Sequence, residues 1–130
     1  MRNTLFGPQP KITLLDDDAL CSFARHFQKK PERFLIIDVR DRNEQQERIA
    51  GSLNLPREEI ANWSFSEKDR NKTVVIHCKS GRRTAFPETI AAILSLGFKA
   101  VYSMAGGIEQ WKRLGFDVES SSKKLELSPR

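Results

Sequence analysis

Two rhythms of apolar residues alternate along this chain. Phe34-Leu35-Ile36-Ile37-Asp38-Val39 and Thr73-Val74-Val75-Ile76 are short, nearly unbroken apolar runs rich in branched side chains, as strands buried on both faces of a sheet require. Leu20, Phe23, Ala24 and Phe27 recur instead at helical spacing, and so do Phe86, Ile90, Ile93 and Leu94; each set predicts one buried helix face. Thr13 followed by Asp16, Asp17 and Asp18 predicts the start of the first helix, with acidic residues near its positive end, and Gly97 predicts the stop of the later one. Residues 100–103 read as the last strand, 108–114 as the closing helix, and the polar stretch 40–46 as the opening of a short helix. Such alternation predicts an α/β fold: a parallel sheet with helices on both faces. No internal repeat or second domain is visible. The expected division is an N-terminal extension over 1–11, one domain over 12–119 and a small, charged tail over 120–130, frayed or extended. Trp63 and Trp111 read as packing residues.

Composition narrows the class. A chain of 130 residues, 38% hydrophobic and 30% charged, suits one globular domain with a real core. The net charge of +5 invites a nucleic-acid partner, but the basic residues are scattered among 17 acidic ones, with no long basic run and no aromatic ladder for stacking bases. What remains is a modest bias toward anionic ligands. The first residues lack the apolar core of a signal peptide and no run is long enough to span a bilayer, so a cytoplasmic, reducing setting with no membrane partner is expected. Cys21 and Cys78 form no Cys-x-x-Cys pair, and with His26 and His77 they exhaust the soft ligands; no metal and no cofactor are expected. Cys21 lies within the first helical pattern and reads as a small core residue.

Cys78 is different. His77-Cys78-Lys79-Ser80-Gly81-Arg82-Arg83-Thr84 places a cysteine where a strand ends and a helical pattern begins. A short glycine-bearing loop in that position can turn several backbone N–H groups inward and cradle an anion at the positive end of the helix. Cradle, helix dipole and the neighbouring Lys79, Arg82 and Arg83 all favour the thiolate, which is the attacking species. Two arginines at the positive end of a dipole are unfavourable unless something anionic binds there. His77, the adjacent strand residue, is expected to point to the opposite side, as a structural residue or a supporting hydrogen-bond partner. Asp38 ends its strand at the sheet edge where open parallel sheets carry their sites; bordering the pocket and bracing a loop are both open to it. Pro87 falls within the first turns of the helix after the loop. Near the start it costs little, and deeper in it would bend the helix and reshape the loop.

The Cys78-x-x-x-x-Arg83 spacing with Gly81 in its fourth position resembles the active-site loop of rhodanese-type sulfurtransferases. Residues 34–40, ending Asp38-Val39-Arg40, look like that family's buried strand. Ile49-Ala50-Gly51-Ser52-Leu53-Asn54-Leu55-Pro56 is similar to its Gly-His-Ile-x-Gly-Ala-x-Asn-x-Pro segment, with Glu47-Arg48 standing where Gly-His is usual. Gly97-Phe98, Val101-Tyr102 and Gly106-Gly107-Ile108-Glu109-Gln110-Trp111 look like its last strand and following helix. The resemblance covers roughly residues 12–118 and implies a rhodanese-like central sheet of five parallel strands. It also implies a sulfurtransferase in which Cys78 takes a sulfane sulfur from thiosulfate or a similar small anionic donor as a persulfide. Cyanide or a thiol, on a small molecule or a protein, would then accept that sulfur. Lys79, Ser80, Gly81, Arg82, Arg83 and Thr84 would hold the donor, with Asp38, Arg40 and His77 as supporting residues. Two rivals stand beside this reading. Phosphatases and arsenate reductases of the same fold have a loop one residue longer between cysteine and arginine, and rhodanese-like domains can also serve as non-catalytic interaction or regulatory modules.

Overall fold

The computed structural model describes residues 11–120; apart from Lys11 and Ser120, the expected extension over 1–11 and tail over 120–130 lie outside the described residues. Its elements run β1 (Ile12–Leu15), α1 (Asp17–Lys29), β2 (Phe34–Asp38), β3 (Glu47–Arg48), β4 (Leu53–Asn54), α2 (Glu67–Arg70), β5 (Thr73–His77), α3 (Pro87–Leu94), β6 (Ala100–Met104), α4 (Gly107–Arg113) and β7 (Glu119–Ser120). Single 3₁₀ turns over Pro31–Arg33, Arg42–Glu44 and Arg83–Ala85, and a longer 3₁₀ segment over Arg57–Asn62, join them. Five strands form one parallel sheet in the order β1-β6-β5-β2-β4, which is the expected class.

Period-two alternation sorts the core into two layers. From β5, Val74, Ile76 and then Cys78 join Ile37, Val39, Leu55, Ile60 and Ile93 beneath α3 and the 57–62 segment. Val75 faces the other way with Ile36, Leu20, Phe23, Met104, Ile108 and Trp111 beneath α1 and α4. The sequence thus decides that Cys78 and His77 leave the sheet on opposite sides. Chain direction matters as well. From β2 the chain moves outward to β4, and from β5 it moves outward the other way to β6, so the carboxyl ends of β2 and β5 flank the crevice where such sheets bind ligands.

Several expectations need correction. The first helix is capped by Asp16, whose carboxylate accepts the Ala19 N–H at 2.9 Å, and Thr13 lies instead in the edge strand β1. Residues 40–46 form one 3₁₀ turn, Arg42–Glu44, in place of an α-helix. Phe86 is 45% exposed rather than part of the α3 core face. Trp111 is buried with its indole N–H donating to the Asp117 carbonyl, whereas Trp63 is 44% exposed. Pro87 occupies the first turn of α3, where its missing N–H costs nothing. No described helix is long and apolar enough to cross a membrane.

Candidate active site

Cys78 is the first residue past β5 and is only 1% exposed. Its Sγ accepts the Gly81 N–H at 3.1 Å and lies 3.7 Å from the Thr84 hydroxyl. Thr84 is buried; its Oγ1 donates to the Gly81 carbonyl at 3.3 Å and accepts from Ser103 Oγ at 3.3 Å. A thiolate here therefore meets the fixed Gly81 amide, while Thr84, whose one proton goes to the Gly81 carbonyl, braces the loop beside it. Gly81 turns the loop at a φ of +97°, in the left-handed region.

The loop is held from outside by the start of α4. Ile108 N–H donates to the Cys78 carbonyl at 2.9 Å and Glu109 N–H to the Lys79 carbonyl at 3.1 Å. With those carbonyls turned toward α4, the amides of Lys79 and Ser80 face the opposite way across their planar trans peptides. This close approach needs Gly107, because a Cβ there would lie 2.4 Å from the Cys78 carbonyl oxygen and 2.6 Å from the Lys79 carbonyl.

The expected helix dipole at the loop is absent. Arg83–Ala85 form a 3₁₀ turn, Phe86 is extended with ψ at 135°, and α3 starts only at Pro87. A residue preceding proline is driven out of the helical region, so α3 cannot reach back to Cys78. Lys79, Ser80 and Arg82 are exposed around the loop, and neither Lys79 nor Arg82 forms an ion pair among the described residues.

Arg83, expected to draw in the donor, is held elsewhere. Its Nη1 and Nη2 donate to the two carboxylate oxygens of Glu44 at 2.6 and 2.8 Å. Arg83 pushes the Glu44 carboxyl down from its ordinary 4.5 to about 2, against the smaller opposing effect of burial, and Glu44 in turn raises Arg83. Glu44 had not been singled out from sequence; nor had Ser103, or Gly107 as a loop support. A lowered carboxylate pKa adds stability that is complete above the unfolded value and is lost as pH falls through the folded one. The contribution of this pair should be intact above about pH 4.5 and vanish toward pH 2. Urea midpoints measured across that range should converge for the wild type and Glu44→Gln at the acid end; a constant gap would rule the pair out as its source.

Behind the loop stands a second network. Asp38 accepts the Arg40 backbone N–H at 3.0 Å and its guanidinium at 2.8 to 3.1 Å, and Gln45 donates to it at 2.9 Å. Burial pushes the Asp38 carboxyl up, but Arg40, His77 and Gln45 outweigh it and hold it below the usual range. Arg40 continues to the Glu47 carbonyl at 2.7 Å. Asn54 ties down the Asp38 and Arg40 carbonyls at 3.0 and 2.9 Å. His77 is fully buried and donates Nδ1–H to the Cys78 carbonyl at 3.1 Å, which fixes the proton on Nδ1. Its Nε2 has no hydrogen-bond partner among the described residues and lies 3.9 Å from Asp38 Oδ2. Burial pushes its pKa down, with Asp38 opposing. The ring thus contacts the backbone of Cys78, and Asp38 and Arg40 shape the turn that presents Glu44.

Comparison with known proteins identifies relatives of the chain and of its fold. The rhodanese-like domain family matches residues 22–114. The thiosulfate sulfurtransferase GlpE of Coxiella burnetii is 34% identical over 85 residues, covering 64% of this chain and 76% of that protein. A sulfurtransferase of Allochromatium vinosum is 33% identical over 88 residues, 67% of this chain and 79% of its own. The solution structure of a rhodanese-like domain from Anabaena superposes with a TM-score of 0.68 at 19% identity, covering 94% of this chain and 88% of that one, a likeness of fold.

Proposed function

Because the chain belongs to the rhodanese-like domain family, we propose that it is a sulfurtransferase carrying a sulfane sulfur on Cys78. The observation that carries this reading is the buried Sγ, met by the Gly81 N–H at 3.1 Å at the base of a short loop whose carbonyls are tied outward to α4. That environment suits a thiolate and, one bond further out, a persulfide anion. In the first half-reaction the Cys78 thiolate attacks the outer sulfur of thiosulfate. The S–S bond of the donor breaks, its electron pair leaves on sulfite, and Cys78–S–S⁻ remains. In the second, cyanide or a thiolate attacks the outer sulfur, carries it away as thiocyanate or a new persulfide, and returns Cys78 to the thiolate. The exposed Lys79 and Arg82 attract the anionic donor, the loop amides hold its sulfur, and Thr84 braces the loop beside it. Asp38, Arg40 and His77 support the loop from behind. Such chemistry needs a free thiol, which places it in a reducing compartment such as the cytoplasm.

Intact mass of the reduced protein before and after thiosulfate tests this directly. The expected result is a cyanide-reversible gain of about 32 Da, one sulfur. With no gain from thiosulfate or from a small persulfide donor, the reading falls and a non-catalytic binding module takes its place.

A further inference from the structure

A guanidinium edge grips one pair of oxygens at a time. In Arg83 the edge formed by Nη1 and Nη2 is filled by the protein itself, through both oxygens of Glu44. The pair is largely covered, with side chains 22% and 25% exposed. Glu44 is not free to swing away. Its Oε1 also accepts the Asp41 N–H at 2.9 Å in a capping box whose other half is the Asp41 carboxylate. The 3₁₀ turn that carries it follows directly on the buried Asp38–Arg40 pair.

We infer that Glu44 sets the anion selectivity of the Cys78 loop, by withholding the Arg83 fork from tetrahedral oxyanions such as phosphate and arsenate. A phosphate bound over Cys78 would need a fixed, planar, bidentate cation to match its charge and geometry. Glu44 occupies that cation and cancels its charge. What is left at the loop is a set of amides and the single-point cations Lys79 and Arg82, which suits a donor gripped through sulfur. The inference rests on the sulfurtransferase reading for what the loop admits, but its test needs no turnover.

The test is the rate at which iodoacetamide, a neutral reagent, alkylates Cys78 in the full chain, read on the Cys78 peptide by mass spectrometry. Phosphate is titrated at constant ionic strength, and arsenate is run in parallel. Wild-type protein should be protected only weakly. In Glu44→Gln the released fork should tighten phosphate protection about tenfold, within the range of one charge-assisted hydrogen bond. Adding Arg83→Gln to that variant should abolish the gain. An unchanged phosphate affinity in a cooperatively folding Glu44→Gln would overturn the inference, as would a gain that persists without Arg83. Should Glu44→Gln not fold, Glu44→Ala removes both the charge and the two oxygens, and no tightening there would equally overturn it. The two readings separate cleanly. Persulfide formation without a phosphate gain sinks only the role of Glu44, and a phosphate gain in a protein that never takes sulfur sinks only the sulfurtransferase.

Discussion

With Cys78 replaced by alanine, sulfur transfer from thiosulfate to cyanide is expected to fall to the rate of buffer alone, a loss on the order of 10⁴-fold or more. The reason is chemical. Each half-reaction makes and breaks a bond to Sγ, so no neighbouring group can take over. Cys78→Ser is the sharper variant, since a serine hydroxyl can still accept the Gly81 N–H and reach Thr84, but its oxygen forms no stable bond to a sulfane sulfur. Both should remain folded. Cys78 packs among Ile76, Val74 and Ile93, and removing one sulfur from such a site costs about 1 kcal/mol. Steady-state plots for the wild type should give the parallel lines of a double displacement. Appreciable transfer by either folded variant would take Cys78 out of the mechanism.

The second large effect is expected well away from the sulfur. Gly107→Ala puts a methyl group 2.4 to 2.6 Å from backbone atoms of Cys78 and Lys79, at a φ of +64°. Backbone cannot rotate aside as a flexible side chain can, so α4 and the loop must separate. That strains or breaks the hydrogen bonds from Ile108 and Glu109 and turns the loop amides away from Sγ. Left-handed strain of about 1–2 kcal/mol adds to overpacking of about 1–3 kcal/mol, and misplacing the reacting centre by about an ångström costs on the order of 10²-fold in rate. Gly115→Ala provides the control. Its φ is +93° but nothing lies within 4 Å of the added carbon, so it should lose stability by the strain alone and keep full kcat/KM. Thermal melts and kcat/KM for the two variants, taken together, decide the matter. Equal kcat/KM would mean that the loop does not depend on α4.

Much of this architecture could be read from the chain because strands and helices differ in period. Ile36 and Ile37, or Val74 and Val75, are adjacent apolar residues that only a sheet covered on both faces can bury, and that pattern locates β2 and β5. The strand β1 escaped because it is a four-residue edge strand with Thr13 and Leu14 exposed, so it carries no alternation to recognise. The helix α3 does not follow the cysteine loop directly, because Phe86 before Pro87 forbids a helix reaching back that far. The site divides in the same way. Cys78, Gly81 and Thr84 lie within one heptapeptide and could be read together. Glu44 pairs with Arg83 across 39 residues of sequence; Asp41-x-x-Glu44 shows a capping box, but no local pattern shows which cation its carboxylate meets. Gly106-Gly107 likewise announces a close approach of backbone without naming the loop that approaches.

The two-residue ribbon at the edge of the molecule gives the far end of the chain a hold on this chemistry. Glu119 and Ser120 pair antiparallel with Arg48 and Glu47, Arg48 meets the Glu119 carboxylate at 3.2 Å, and Lys112 of α4 reaches the Glu47 side chain. Glu47 is also the residue whose carbonyl anchors Arg40. The segment after α4 therefore works as a latch: it pairs with Glu47 and Arg48, just past the turn that presents Glu44, beside the tie that Lys112 makes from the helix holding the Cys78 loop. A fusion joint or proteolytic cut before Glu119 would unfasten that latch without touching the sheet, so the boundary chosen for any shortened version of this protein is also a choice about how firmly its reactive loop is framed.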